Sequence, residues 1–284
     1  MGTASVTGFH RAAKSAADSP RIWLWPNLLS LDAPIVAVLW QILFLRCFHA
    51  PVEPLPVILL ALTVWLIYAA DRAMDAFAGE RSTPRHRFYR TYWKILAPVW
   101  VIAFSAACWL SLTKLPQPLL RSGFLLLGAV GVYFFIVHSA PNWWRKAWPK
   151  EAAVGVLFAL GSSLGAWGRI RTWADVATVV LLSALCWINC AAIERWENRK
   201  WTDAGDAPGR EGFPVGILSL GIAAAALFVF LQNRPVLATA EMVSALAFLL
   251  LDHLRQKFSM DALRVLADVA LLSPLFLLPI AGHL

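Results

Sequence analysis

Residues 55–75 read LPVILLALTVWLIYAADRAMD: residues 55–70 contain no charged side chain, and the run then closes on Asp71-Arg72-x-x-Asp75. A second apolar run over 174–195 closes in a similar way, on Asn189-x-x-x-x-Glu194-x-x-Glu197. Runs of this length that are rich in Leu and Ala and show no period-2 alternation are membrane-spanning helices and argue against a β-barrel. Ionisable groups at the end of such a helix are costly, so a function for them is the default reading.

The rest of the chain has the same character. Hydrophobic residues make up 59% of the 284 and charged residues only 15%, and the mean hydropathy is +0.62. That composition excludes a soluble domain of this length. Nine segments are long and apolar enough to be read as crossings, roughly 28–48, 55–75, 95–113, 118–138, 151–168, 174–195, 214–232, 236–252 and 262–282. The expected fold is therefore an all-α integral membrane bundle over residues 26–284, preceded by a polar tail over 1–25. The tail has no apolar stretch of the signal-peptide kind.

Placing the N-terminus in the cytoplasm assigns 19 of the 25 Lys and Arg to cytoplasmic connections and 6 to the opposite side, the bias that topology demands. The same count accounts for the net charge of +8 through short basic loops that meet anionic lipid, without nucleic acid. Two connections are expected to be long, 76–94 and 198–213. Each follows one of the polar clusters, which puts both clusters on the cytoplasmic face. Cys47, Cys108, Cys186 and Cys190 form no CxxC pair and read as buried thiols.

Residues four apart on a helix lie one turn above another, so Asp71 and Asp75 present two carboxylates about 6 Å apart along one stripe. Two like charges in that position need a cation, and hard oxygen ligands of this kind suit Mg²⁺ bound together with substrate phosphate oxygens. Asn189 and Glu197 share a stripe on the second helix, with Glu194 beside it. The candidate metal ligands are thus Asp71, Asp75, Asn189, Glu194 and Glu197. Arg72, Arg81, Arg85, Lys146 and Lys150 lie on the same side and are candidates for neutralising a diphosphate. Side chains inside the spans near these ends, Trp65, Tyr68, Tyr133, Phe134 and Trp187, are candidates for lining a pocket and stabilising a carbocation; Asp32 is a further candidate from the first helix. Arg264 and Asp268 are spaced i, i+4 and are expected to pair with each other.

Asp71-Arg72-Ala73-Met74-Asp75, followed by Arg81, Pro84 and Arg85, resembles the latter part of the NDxxDRxxD signature of the UbiA superfamily of intramembrane prenyltransferases. Asn189 to Glu197 resembles a divergent form of its second acidic motif. Nine helices, an early Pro34 and a Lys150-Glu151 pair opening the fifth helix agree with that plan. The resemblance implies a helical bundle around a central cavity, two Mg²⁺ ions and ionisation of an isoprenyl diphosphate. The chain departs from the signature at Ile67 and Tyr68, where Asn-Asp is usual, and at Ile193, where an aspartate is usual. Asn189-x-x-x-Ile193-x-x-x-Glu197 is also similar to the NSE metal triad of class I terpene cyclases with its middle ligand replaced. The expectation is therefore terpene cyclisation, as in the membrane-bound cyclases of the superfamily, with prenyl transfer to a lipophilic acceptor as the alternative. A transporter is the rival from another class, and the clustering of acidic groups at one interface counts against it.

Overall fold

The computed structural model describes residues 25–78, 84–139, 150–203, 214–232 and 234–281, and every regular element among them is a helix. In chain order these are α1 (Asp32–Cys47), α2 (Pro54–Ala78), α3 (Pro84–Lys114), α4 (Gln117–Ser139), α5 (Lys150–Ser163), α6 (Trp173–Asp203), α7 (Val215–Phe230), α8 (Pro235–Leu254), α9 (Met260–Ala270) and α10 (Pro274–Ala281). A single turn, Trp25–Leu28, precedes α1, and 3₁₀ turns extend α5 over Leu164–Arg169 and α8 over Arg255–Lys257.

Seven of the nine expected segments lie in helices long and apolar enough to cross a bilayer, with α9 and α10 together forming the last. The other two, α1 and α7, have 16 residues each. At 1.5 Å per residue that is about 24 Å, short of a hydrocarbon core of about 30 Å.

Helix α1 is the hub. It packs against α2, α5, α8, α9 and α10, and its Trp40, Leu43 and Phe44 are wholly buried. Helix α6 packs against α5, α7, α8 and α9. By contrast α3 leans on α2 and α4 leans on α5, and both turn large apolar side chains outward, among them Ile102, Trp109, Leu125 and Phe135. Such exposed apolar faces would be intolerable in water and are ordinary against lipid.

Three boundaries differ from the sequence reading. The expected loop 76–94 is mostly helix, because α2 runs on to Ala78 and α3 begins at Pro84. Proline is favoured in a first helical turn, where its missing N–H is no loss. The following turns bury Tyr89 and set Phe88 against Tyr92 with ring centroids 4.9 Å apart, so this polar-looking stretch is an amphipathic helix end. Helix α6 likewise continues to Asp203 and shortens the second loop. The ninth segment, read as continuous, breaks over 271–273. Pro274 disfavours helical geometry in the residue before it and supplies no N–H of its own. Trp40 of α1 donates its indole N–H to the freed carbonyl of Leu271 at 3.0 Å, and Ser244 and Ser273 share a hydrogen bond of 2.8 Å.

Hydrogen bonds between helices sort the bundle's two ends. At one, Arg90 of α3 donates to the Ala76 carbonyl of α2 at 2.6 Å, Trp196 of α6 donates to Asp252 of α8 at 3.1 Å, and Glu197 of α6 pairs with Arg264 of α9 at 2.7 Å. At the other, Arg46 reaches the Leu278 carbonyl at 2.7 Å and Arg234 pairs with Asp175 at 2.7 Å. Both acidic clusters belong to the first end.

Inside the core, Glu241 of α8 is 0% exposed, and neither of its carboxyl oxygens meets a hydrogen-bond partner among the described residues. An unsatisfied buried polar group costs about 1–3 kcal/mol, and an apolar side chain of similar shape removes that cost. Glu241→Met should therefore raise the unfolding free energy by about that amount, measured by denaturant titration in mixed micelles. A variant less stable than the parent would show that the carboxyl is satisfied by something other than this chain.

Candidate active site

The polar end contains a buried knot built from five helices: α1 with the turn before it, α2, α3, α6 and α9. Arg72, in the last turns of α2, is only 8% exposed. Its guanidinium donates to the backbone carbonyl of Asn27, to Ser30 Oγ at 2.8 Å and to Asp32 Oδ2 at 3.3 Å. Ser30 is held at φ 58, a left-handed conformation that a serine adopts only when its surroundings over-determine it. Those surroundings are Arg72 on one side and the Tyr89 hydroxyl at 2.7 Å on the other. The turn that launches α1 is thereby tied to both α2 and α3.

The second half of the knot joins α1 to α9 and α6. Asn27 Nδ2 donates to Asp32 Oδ2 at 2.7 Å and lies 3.4 Å from Asp268 Oδ2. The Asp32 and Asp268 carboxyls are within hydrogen-bond reach of each other. Asn189 Nδ2 donates to Asp268 Oδ1 at 3.2 Å. Tyr68, one turn deeper on α2 than Asp71 and Arg72, is within electrostatic reach of Asp32, Asp268, Cys186 and Cys190.

A more open region adjoins the knot. Tyr133 of α4 lies within electrostatic reach of Asp71 and Asp75 of α2, Glu151 of α5 and Cys190 of α6. Cys190 in turn feels Asp268, Glu151, Asp71 and Lys150. Asp71, Asp75 and Glu151 are half-buried, and Lys150 is largely exposed and sits 3.7 Å from Glu151. Cys190 is thus within electrostatic reach of both Asp71 and Asp268, and its neighbour Asn189 is bonded to Asp268. We refer to the Asp71, Asp75, Glu151, Lys150 and Tyr133 region as the mouth.

The second acidic cluster is arranged differently from the sequence reading. Glu197 Oε1 accepts from Arg264 Nε at 2.8 Å and Nη2 at 2.7 Å, so its charge is already matched. Glu194 is exposed. The expected Arg264–Asp268 pair is not formed: Arg264 goes to Glu197 and to Asp261 at 3.1 Å, while Asp268 goes to Asn189 and Asn27. Side chains on a helix lean toward its N-terminus, which carries Arg264 back toward Asp261 and away from Asp268.

Other sequence candidates have definite places. The Trp65 indole donates to the Leu29 carbonyl at 3.0 Å, bracing the turn before α1. Phe134 meets Tyr133 edge-on at 5.6 Å. Trp187 is half-buried on α6, where its backbone faces Gly155 of α5. Arg81 and Lys146 lie outside the described residues, as does the side chain of Arg85. Asn27, Ser30 and Tyr89 were not singled out from sequence. The available signal was the clustering of Asn27, Ser30 and Asp32 immediately before an apolar run, a polar density that a simple helix cap does not require.

The mouth can be tested for Mg²⁺. Among the described residues no group of three or more His, Cys, Asp or Glu is placed to hold a metal. Mg²⁺ is ordinarily held by one or two carboxylates together with substrate phosphate and water, and Asp71 and Asp75, one turn apart and half-buried, fit that role. Comparison with protein-family models, with curated proteins and with solved structures gives no match.

Proposed function

We propose that this chain ionises an isoprenyl diphosphate within the membrane with the help of Mg²⁺, and that the resulting carbocation cyclises before it is quenched. The observation that supports this reading is that Asp71 and Asp75 of α2 and Glu151 of α5 all lie within electrostatic reach of Tyr133 of α4, with Lys150 3.7 Å from Glu151. Bound Mg²⁺ would supply charge neutralisation to the departing diphosphate. The chain would supply two carboxylates to seat the metal–diphosphate complex and the Lys150 ammonium to pair with a phosphate oxygen. The phenol faces of Tyr133 and Tyr68, both within electrostatic reach of Cys190, would line the path of the isoprenoid and favour positive charge beside them. Arg72 is spent in the knot, so in this reading it positions the end of α2 and leaves the phosphates to Lys150 and the basic residues of the loops.

In the same reading α1 and α7 are the remaining two crossings. The N-terminus and the mouth then lie on the cytoplasmic side, in keeping with the distribution of Lys and Arg. The exposed apolar faces of α3 and α4 give the greasy substrate a lipid-side approach. Glu197, the best counterpart of a second metal triad, is paired with Arg264, and this favours keeping prenyl transfer to a lipophilic acceptor as a second reading.

Purified protein in lipid, given Mg²⁺ and C10 to C20 prenyl diphosphates, should release diphosphate. Asp71→Asn and Asp75→Asn should each slow release by at least roughly 10- to 100-fold, the loss usual when only a partner of a metal ligand is removed. Release unaffected by either substitution would reject the metal assignment. Hydrocarbon formed without an added acceptor supports cyclisation; product that requires one supports transfer.

A further inference from the structure

The knot beneath the mouth is unbalanced. Asp32 and Asp268 bring two carboxylates onto the one amide nitrogen of Asn27, and among the described residues one guanidinium, that of Arg72, is bonded to the pair. Asn27 and Asn189 contribute amides without charge. The Asp32 side chain is 10% exposed, and its Oδ1 is buried without a hydrogen-bond partner among the described residues. The same holds for Asn189 Oδ1. That oxygen belongs to the amide whose nitrogen donates to Asp268 Oδ1.

We propose that Asp32, Asp268 and Asn189 form a binding site for one alkali-metal cation. Three considerations converge on that ligand. Two carboxylates at this separation repel unless something positive lies between them. Counted with Arg72, the site carries one excess negative charge. A monovalent ion brings the knot to neutrality, whereas a divalent ion would leave a net positive charge where desolvation is costly. A proton shared by the two aspartates would also balance the charge, but it would leave the Asn189 carbonyl oxygen unsatisfied. A cation takes Asp32 Oδ1, Asn189 Oδ1 and an Asp268 oxygen together, and oxygen donors of this kind are what a hard cation selects.

The surrounding groups do not upset the count. Tyr68, Cys186 and Cys190 approach from α2 and α6 as neutral side chains. Lys150 and Glu151 approach from α5 as a pair of opposite charges, and Asp71 faces the mouth. The site is separate from the one that seats the metal on Asp71 and Asp75: Asn189, named from the sequence as a ligand of that metal, is held on Asp268 instead.

The test is the thermal unfolding midpoint of the purified full-length protein in micelles at constant ionic strength, with choline chloride replaced stepwise by NaCl or KCl. The midpoint should rise and saturate with at least one of the two salts. Asp268→Asn and Asn189→Leu should abolish the rise, and Asp71→Asn should retain it. Asn189→Asp, which adds one negative charge, should move the preference to a divalent ion. The proposal is overturned by a wild-type midpoint indifferent to Na⁺ and K⁺, or by a rise that survives in Asp268→Asn. It is also overturned if acidification in choline alone reproduces the rise and removes the salt response, because a shared proton then fills the site. A response confined to Mg²⁺ that depends on Asp268 would overturn the monovalent assignment, as would an Asn189→Asp variant that keeps the alkali preference.

Discussion

Arg72→Met should lower the unfolding free energy by about 3–5 kcal/mol, the range found when one partner of a buried charge pair is removed. The size follows from what the guanidinium leaves behind. Its removal strips a donor from the Asn27 carbonyl, from Ser30 Oγ and from Asp32 Oδ2, all in a region where Arg72 itself is 8% exposed. The Asp32–Asp268 pair then loses the one cationic side chain bonded to it among the described residues, and Ser30, at φ 58, loses one of the two contacts that justify its strain. Lysine should rescue little of this, because its compact ammonium cannot present donors to three acceptors in a fixed fork. Arg72→Met combined with Asp32→Asn should recover part of the loss by removing the stranded charge. Denaturant titration of the four proteins forms a double-mutant cycle. A single mutant within 1 kcal/mol of the parent, on the scale of an exposed ion pair, would show that the knot is solvated and the assignment of Arg72 as its keystone mistaken.

The knot also marks where sequence reading reaches its limit. The membrane class was legible because it depends on composition and on run length, both local properties. The clustering of Asp71, Asp75, Asn189 and Glu197 at one end of the bundle was legible because it depends only on helix count parity. The pairing of side chains was not. Asn27 and Asp268 stand 241 residues apart, and nothing in either neighbourhood points to the other. Arg264 was drawn to Asp268 by its i, i+4 spacing, yet its side chain leans the other way and crosses to Glu197 on α6. Helix ends were misjudged where amphipathic turns such as those around Tyr89 look polar in sequence but bury one face. Pro274 is the opposite case: its effect on the ninth segment was written in the chain and was passed over because the apolar run continues through it.

Gly155→Val should cost about 3 kcal/mol or more, at the upper end of what overpacking does in a close-packed interior. A Cβ built at Gly155 would lie 2.5 Å from the Ser183 carbonyl oxygen and 2.8 Å from the Trp187 backbone nitrogen. Both are backbone atoms of α6, so no rotamer change relieves the clash and the two helices must separate. Close approach through a small residue is what lets α5 and α6 gain dispersion contacts where lipid offers no hydrophobic driving force. The separation has a functional consequence, because Glu151 sits one turn before Gly155 on the same face of α5. Prising α5 from α6 carries Glu151 and Lys150 away from Cys190 and the Asp71 side of the mouth, so diphosphate release should fall along with stability. The control is Gly128→Ala on α4, where an added Cβ meets nothing within 4 Å. There the gain in helix propensity should be all that remains, raising stability by about 0.5–1 kcal/mol. Gly155→Ala should already destabilise, since even a methyl group is too large at 2.5 Å, so the same glycine-to-alanine change should have opposite signs on neighbouring helices. Equal effects at the two positions, read from denaturant titrations of both variants, would mean that α5 and α6 do not meet at this contact.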